Sequence, residues 1–114
     1  MTKLYGIKNC DTVKKARKWL ETAGVAYEFH DFRDQGLDAS LIQNWLTQID
    51  AATLINKRST TWKQLSDADK TKVEAGDFIA IAVANPTLIK RPVLDHNNAI
   101  TVGFKDKQYA DLLA

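Results

Sequence analysis

The spacing of apolar residues changes several times along the chain, and each change marks an element. Leu4-Tyr5-Gly6-Ile7 is a short, β-prone apolar run, and a glycine inside it points to a close backbone approach. From Asn9-Cys10-Asp11-Thr12 onward the period becomes helical. Val13, Ala16, Leu20 and Ala23 recur on one face, while Lys14, Lys15, Lys18 and Glu21 take the other. Gly24 supplies a C-terminal stop. Val25 to Phe32 returns to a period of two, with Tyr27 and Phe29 on one side and Glu28 and His30 on the other. A strand, a short helical crossover and a second strand predict a right-handed parallel unit.

The middle of the chain is almost wholly helical in pattern. Asp38 is placed to cap a helix whose Leu41, Ile42, Trp45, Leu46 and Ile49 share one side. Ser66 and Asp69 have the spacing of a capping box, and Gly76 ends the helix they open. Phe78 to Ala84 is apolar but too rich in alanine to assign as a strand, and Pro86 stops it. Two β-prone runs follow, Leu88 to Leu94 and Ala99 to Phe104, around the turn Asp95-His96-Asn97-Asn98. Lys105 to Leu113 closes the chain as a helix with Tyr109, Leu112 and Leu113 inward. The predicted order is βαβ, then helices, then ββα. It predicts an α/β, thioredoxin-like fold with a helical insertion, at about 38–85, between the N-terminal βαβ and C-terminal ββα units. No linker, repeat or low-complexity tract interrupts it, which favours a single domain over residues 1–114.

Composition narrows the classes of function. The 114 residues are 45% hydrophobic and 26% charged, as in an ordinary globular domain. A net charge of +2 is too slight to argue for a nucleic-acid partner. Lys14-Lys15-Ala16-Arg17-Lys18 has no interleaved aromatic platform and fits an exposed helix face. No apolar run approaches the roughly 20 residues that span a bilayer, and Met1 to Gly6 lacks the apolar stretch of a secretory signal. The single cysteine cannot form an internal disulfide and suits a reducing compartment. The expectation is a cytoplasmic domain without nucleic-acid or membrane partners. With no heptad seam, a monomer is expected.

The one reactive group is Cys10, set where the first strand hands over to the first helix. A lone cysteine is most often a small buried apolar residue, but this position carries a physical consequence. The first N–H groups of a helix lack intrahelical partners and bear the positive end of its dipole, so those of Thr12 and Val13 favour a thiolate. Lys8 and Lys14 add positive potential and Asp11 opposes it, leaving the net sign open. Arg91-Pro92 opens a predicted strand, either as a plain edge or, in a thioredoxin-like fold, as a proline lying against the active cysteine. In that case Arg91 brings a planar anion-binding fork to Cys10. Asn56 to Trp62 is a polar, basic turn, either a solvated connection or an anion clamp using Arg58. His30 and His96 have no zinc-ligand spacing, and no glycine-rich phosphate loop is present.

Leu4-Tyr5-Gly6-Ile7-Lys8-Asn9-Cys10-Asp11-Thr12, Lys14-Lys15-Ala16-Arg17, Ile89-Lys90-Arg91-Pro92-Val93-Leu94 and Val102-Gly103-Phe104 together resemble the arsenate reductase-like (ArsC) family. Its YffB branch is nearest, and the Spx regulators are more distant. The resemblance covers essentially the whole chain. It implies a nucleophile at Cys10, an arginine before a cis-proline at Arg91-Pro92, and no metal or bound organic cofactor. Arsenate reductases of the family gather three arginines around the cysteine. Here Arg91 matches one, Asn56 stands at another with the Spx-like Arg58 two residues on, and Phe104, with Lys105 beside it, fills the third. The Cys-x-x-Cys switch of the Spx branch is lacking, since its second position is Val13.

The resemblance therefore implies a glutathione-dependent thiol-disulfide reductase acting through one cysteine. Glutathione is the reducing co-substrate, and an oxidised thiol or an oxyanion is the substrate. Arg91 and Arg58 would hold carboxylates, with Pro92, Thr12, Val13 and Lys8 around the thiol. Arsenate reduction coupled to glutathione or glutaredoxin is one alternative. The other is a non-enzymatic regulator that docks on a protein partner through the basic first helix.

Overall fold

The computed structural model describes residues 2–113. In chain order it contains β1 (Thr2–Gly6), α1 (Asp11–Thr22), β2 (Glu28–Asp31) and a single turn of helix, α2 (Phe32–Gln35). Five short helices follow: α3 (Ala39–Leu46), α4 (Ala51–Leu54), α5 (Thr60–Gln64), α6 (Asp67–Glu74) and α7 (Ile79–Ala84). A 3-10 turn at Pro86–Leu88 leads to β3 (Val93–His96), β4 (Ala99–Val102) and α8 (Asp106–Leu113). The chain divides into two compact units: one runs up to Gln35 and resumes at Arg91, the other is Gly36–Lys90. No helix among the described residues is long and apolar enough to cross a membrane.

The first unit is built on a four-stranded mixed sheet in the order β2-β1-β3-β4. β1 runs parallel to β2 and antiparallel to β3, which is antiparallel to β4. Helices and a mixed sheet in this order make the unit α/β and thioredoxin-like. Leu4 lies opposite Leu94 across β1 and β3, and these two pack with Ala16 and Leu20 of α1 and Tyr109 of α8. All five are fully buried, and each large side chain so buried contributes about 1.5–3 kcal/mol. The helical period of α1 is visible in this burial, since Val13, Ala16 and Leu20 are its inward residues. Ala23, fourth in the predicted stripe, is exposed because it has become the C-cap.

Gly24 closes α1 with φ +73°, donating to Glu21 while Val25 donates to Leu20. That pair of bonds is a Schellman stop. Gly6 is needed for a different reason. A Cβ built there would stand 2.7 Å from Cγ2 of Val13, so α1 can lie on β1 only where a side chain is missing. The glycine thus sets the depth at which the N-terminus of α1 meets the end of β1.

Several predicted boundaries move. β2 covers Glu28–Asp31, not Val25 to Phe32, because Asp31 turns the chain and Phe32 already begins α2. Leu88 ends the 3-10 turn and Ile89 makes only an isolated bridge to Ile55, so neither belongs to a strand with Val93. The hairpin turn is just Asn97-Asn98, with Asp95 and His96 paired to Ile100 and Ala99. Both asparagines have positive φ, 51° and 72°, which is the type I′ geometry of a two-residue hairpin. Gly103 at φ +83° ends β4 after Val102, so Phe104 lies beyond the strand.

In the second unit the predicted caps are present. Asp38 accepts from the Ser40 N–H at 3.0 Å and Ser66 from the Asp69 N–H at 3.1 Å. Gly76 ends α6 as Gly24 ends α1. Phe78 to Ala84, unassigned from its pattern, supplies α7, whose Ala82 is fully buried, as is Phe78 at its N-cap. Ile55 and Ile89 bridge with Asn56 donating to Leu88 and Lys90 donating to Leu54 on either side. The unit is therefore tied at its neck, immediately before Arg91.

Candidate functional site

Cys10 occupies the N-cap of α1 in extended conformation, φ −86° and ψ 125°. Its N–H donates to Ile7 at 3.1 Å, closing the turn Ile7-Lys8-Asn9-Cys10, and its carbonyl accepts the first helical bond from Lys14. The thiol closes no ordinary capping bond, since neutral sulfur is a weak acceptor. Its thiolate form is different. Burial is the largest single influence and pushes the thiol up. The Val13 N–H, the Arg91 guanidinium through a hydrogen bond and its charge, and the Thr12 N–H pull it down, and together they prevail. The result lies below the ordinary thiol value, so the sign left open by the sequence is settled toward the thiolate. Cys10 is half-buried, open enough to be attacked yet screened enough for these donors to act.

Arg91 and Pro92 reach this site from the segment entering β3. Their peptide bond is cis, Pro92 is buried, and its carbonyl accepts the Gly103 N–H at 2.8 Å. The structure thus gathers Cys10, Thr12, Val13, Arg91 and Pro92 in one unit. Lys8 is present by its backbone, while its ammonium is engaged elsewhere: it forms an exposed ion pair with Asp34 at 2.8 Å. Among the described residues, Lys8 and Lys14 do not figure in lowering the Cys10 thiol. Arg58 belongs to the other unit. There its N–H donates to the Asn56 side chain at 3.1 Å, in the turn where Ser59 caps α5 by accepting from Trp62. Phe104 is no anion ligand but an aromatic wall, edge-on to Tyr109 with centroids 4.8 Å apart.

The pattern left one residue unsuspected. Asp31, 5% exposed, ends β2 beside Gly6 of β1. Its Oδ2 accepts the Lys8 N–H at 3.1 Å and its Oδ1 the Arg33 N–H at 2.7 Å, with the Asp34 N–H also favouring the carboxylate. Burial pushes its carboxyl up, but these donors outweigh burial and leave it below the usual carboxylate range. A signal existed in the sequence. A period of two puts Asp31 on the same side as Tyr27 and Phe29, an aspartate in an apolar register. Among the described residues, no group of three or more His, Cys, Asp or Glu is arranged to hold a metal ion.

Comparison with known proteins locates this arrangement. The profile of the family described as ArsC matches residues 5–112. A solved structure of a protein named YffB superposes with a TM-score of 0.94 at 41% identity, covering 100% of both chains. The solution structure of an arsenate reductase (ArsC) related protein from Brucella melitensis gives 0.75 at 40% identity, covering 98% of this chain and 93% of that one. The global transcriptional regulator Spx of Streptococcus mutans is 26% identical over 110 residues, which are 95% of this chain and 80% of the regulator.

Proposed function

The chain belongs to the ArsC family, and from that premise we propose that it is a thiol-based reductase whose nucleophile is Cys10 and whose reducing co-substrate is glutathione. The observation that carries this reading is the half-buried thiol at the head of α1, drawn toward the thiolate by Val13, Arg91 and Thr12. The similarity to an arsenate reductase-related protein supports the general class.

The chemistry proceeds in two exchanges. Cys10 thiolate attacks the glutathione sulfur of a mixed disulfide, forming a Cys10–glutathione disulfide and expelling the substrate thiolate, which takes a proton. A second glutathione thiolate then attacks the glutathione sulfur of that adduct, releasing glutathione disulfide and returning Cys10 as thiolate. One substrate disulfide is reduced and two glutathiones are joined, with two electrons transferred. With no second cysteine in the chain, both exchanges run through Cys10. In this scheme Arg91 holds a glutathione carboxylate, and the backbone beside Pro92 aligns the incoming thiol. The N–H groups of Thr12 and Val13 stabilise the thiolate each time Cys10 leaves.

The test is the rate of Cys10 alkylation against pH, with and without glutathione disulfide, together with the mass of the product. An inflection below the ordinary thiol range and a single glutathionyl adduct are expected. An ordinary inflection with no adduct would overturn the proposal.

A second reading draws on the likeness to Spx regulators: a partner-binding protein whose work does not need the thiol. Cys10→Ser separates the two, since it abolishes reductase function and leaves a docking function intact. Arsenate reduction is supported less well, because Asn56 and Phe104 stand where the resemblance calls for two further arginines. It predicts that arsenate slows alkylation of Cys10 and that Arg91→Ala removes this protection.

A further inference from the structure

The segment that carries Cys10 is not held by its own sequence. Ile7, Lys8 and Asn9 lie outside any regular element, between the end of β1 and the start of α1. Two contacts at either end of this loop are already accounted for: the Cys10 N–H closes the turn on Ile7, and Val13 rests on Gly6. The middle of the loop has one backbone tie among the hydrogen bonds described, from the Lys8 N–H to the buried Asp31 carboxylate at 3.1 Å. The same carboxylate caps the turn into α2 through the Arg33 N–H at 2.7 Å. It therefore joins the β1–α1 loop to the β2–α2 turn, two segments 23 residues apart in sequence.

We infer that Asp31 is a positioning residue for the Cys10 thiolate, acting through the Lys8 N–H. Its carboxylate engages the backbone N–H groups of Lys8, Arg33 and Asp34. Its bond decides how the turn sits above the sheet, and so whether Sγ faces the Thr12 and Val13 donors and the Arg91 guanidinium. The carboxylate is suited to this task in two ways. A hydrogen bond to an ionised acceptor is stronger than a neutral one, and a carboxyl held below its usual range stays ionised wherever the thiolate exists. The plain alternative is that Asp31 merely caps α2. This inference rests on Cys10 being the reactive group, but not on glutathione being its partner.

Asp31→Asn separates the two roles. An asparagine side chain offers one accepting oxygen and one donating nitrogen. It can keep the Arg33 cap, as asparagine does in such turns, but then presents a donor to the Lys8 N–H. Lys8→Pro deletes the same bond from the other partner, at position i+1 of a turn where the fixed φ of proline is welcome. Lys8→Ala is its comparator, because it removes the side chain and keeps the N–H.

The measurement is the pH profile of Cys10 alkylation by iodoacetamide, without glutathione, on variants shown to be folded by circular dichroism. Amide hydrogen exchange at Lys8 is followed in wild type and Asp31→Asn. Asp31→Asn is expected to move the inflection upward, to slow alkylation at neutral pH by at least about threefold, and to speed exchange at Lys8. Lys8→Pro is expected to shift the profile in the same direction relative to Lys8→Ala. An unchanged profile in a folded Asp31→Asn variant overturns the inference. If that variant does not fold, coincident profiles for Lys8→Pro and Lys8→Ala do so. A normal shift here with no glutathione adduct in wild type would sink the proposed co-substrate and leave the role of Asp31 standing.

Discussion

Replacing Gly6 by alanine adds one methyl group at the point where α1 meets β1. The new Cβ would lie 2.7 Å from Cγ2 and 3.3 Å from Cγ1 of Val13. Carbon atoms rest at about 3.5–4.0 Å, so the nearer contact is short by roughly an ångström. Val13 is fully buried in α1 and β-branched, which leaves it one strongly preferred rotamer in a helix, so it cannot swing aside. The helix must ride up on the sheet instead. Overpacking of this kind costs about 1–3 kcal/mol. Alanine returns about 0.5–1 kcal/mol by restricting the unfolded chain, since Gly6 does not occupy the positive-φ region that would penalise it. The net expectation is a loss of about 0.5–2 kcal/mol, measured by urea unfolding.

The cause is isolated by a second substitution. Val13→Ala removes both offending carbons and leaves only Cβ, at an ordinary 3.6 Å. It costs about 2 kcal/mol on its own through lost burial and a small void. In that background Gly6→Ala should cost nothing or stabilise slightly. The two substitutions should therefore be non-additive by about 1–3 kcal/mol. Additive losses, or a Gly6→Ala variant as stable as wild type, would show that the close approach is not what Gly6 provides. Alkylation of Cys10 gives an independent check, because a displaced α1 carries the Val13 and Thr12 donors with it and the inflection should rise.

Arg91→Ala removes both a hydrogen bond and a charge from the thiolate, so the alkylation inflection should move up while the fold, followed by circular dichroism, is retained; an unmoved inflection would mean that Arg91 does not serve the thiol. The native state holds Cys10 below the ordinary thiol value, so its contribution to stability is present above the unfolded thiol value and lost as pH falls through the folded one. The stability of wild type relative to Cys10→Ser, from urea unfolding under reducing conditions, should accordingly grow with pH across that interval, and a flat difference would contradict the lowered value. At the hairpin, Asn98 sits at φ 72°, where a Cβ is costly; Asn98→Ala should lose about 1 kcal/mol and Asn98→Gly should be neutral or better, as read by Tm.

The features legible in the sequence were those that depend on neighbours along the chain. The α1 stripe up to Leu20, the Asp38 and Ser66 caps and the Gly24 and Gly76 stops all rest on interactions within about five residues, and the turn before β4 was legible in place though read two residues too long. The errors share the opposite property. Leu88 and Ile89 are as β-prone as Val93, and what keeps them out of the sheet is their binding to Leu54, Ile55 and Asn56 within their own unit, Gly36–Lys90. Phe32 is β-prone enough to prolong β2, but the carboxylate of Asp31 draws the Arg33 N–H into a turn. α4 and α5 are four and five residues long, too short for a period to declare itself. The nucleophile was legible for the first reason and its surroundings only in part. Cys10 could be placed at a helix start from local pattern, whereas Arg91 followed only once the thioredoxin-like order was assumed and Asp31 not at all.

Val13 shows why the reactivity of Cys10 is a property of the loop's placement more than of the residues beside it. The nearby charges are a poor guide: Lys8 is paired with Asp34, and the effective cation, Arg91, comes from 81 positions along the chain. Val13 stands at the second position of what would be a Cys-x-x-Cys pair, and it contributes at both ends of its structure. Its N–H is the foremost of the donors lowering the thiol, and its side chain is the one that Gly6 makes room for. One residue thus fixes the helix against the sheet and directs a helix-terminal amide at the sulfur. A cysteine at this position would place a resolving thiol in a fully buried site and give up one of the two branches that pack on Gly6. The valine at this position favours packing over a second thiol. Under the proposed reductase reading, a chain with valine here draws its second thiol from outside, and Val13 seats the first turn of α1 so that its N–H meets the single cysteine.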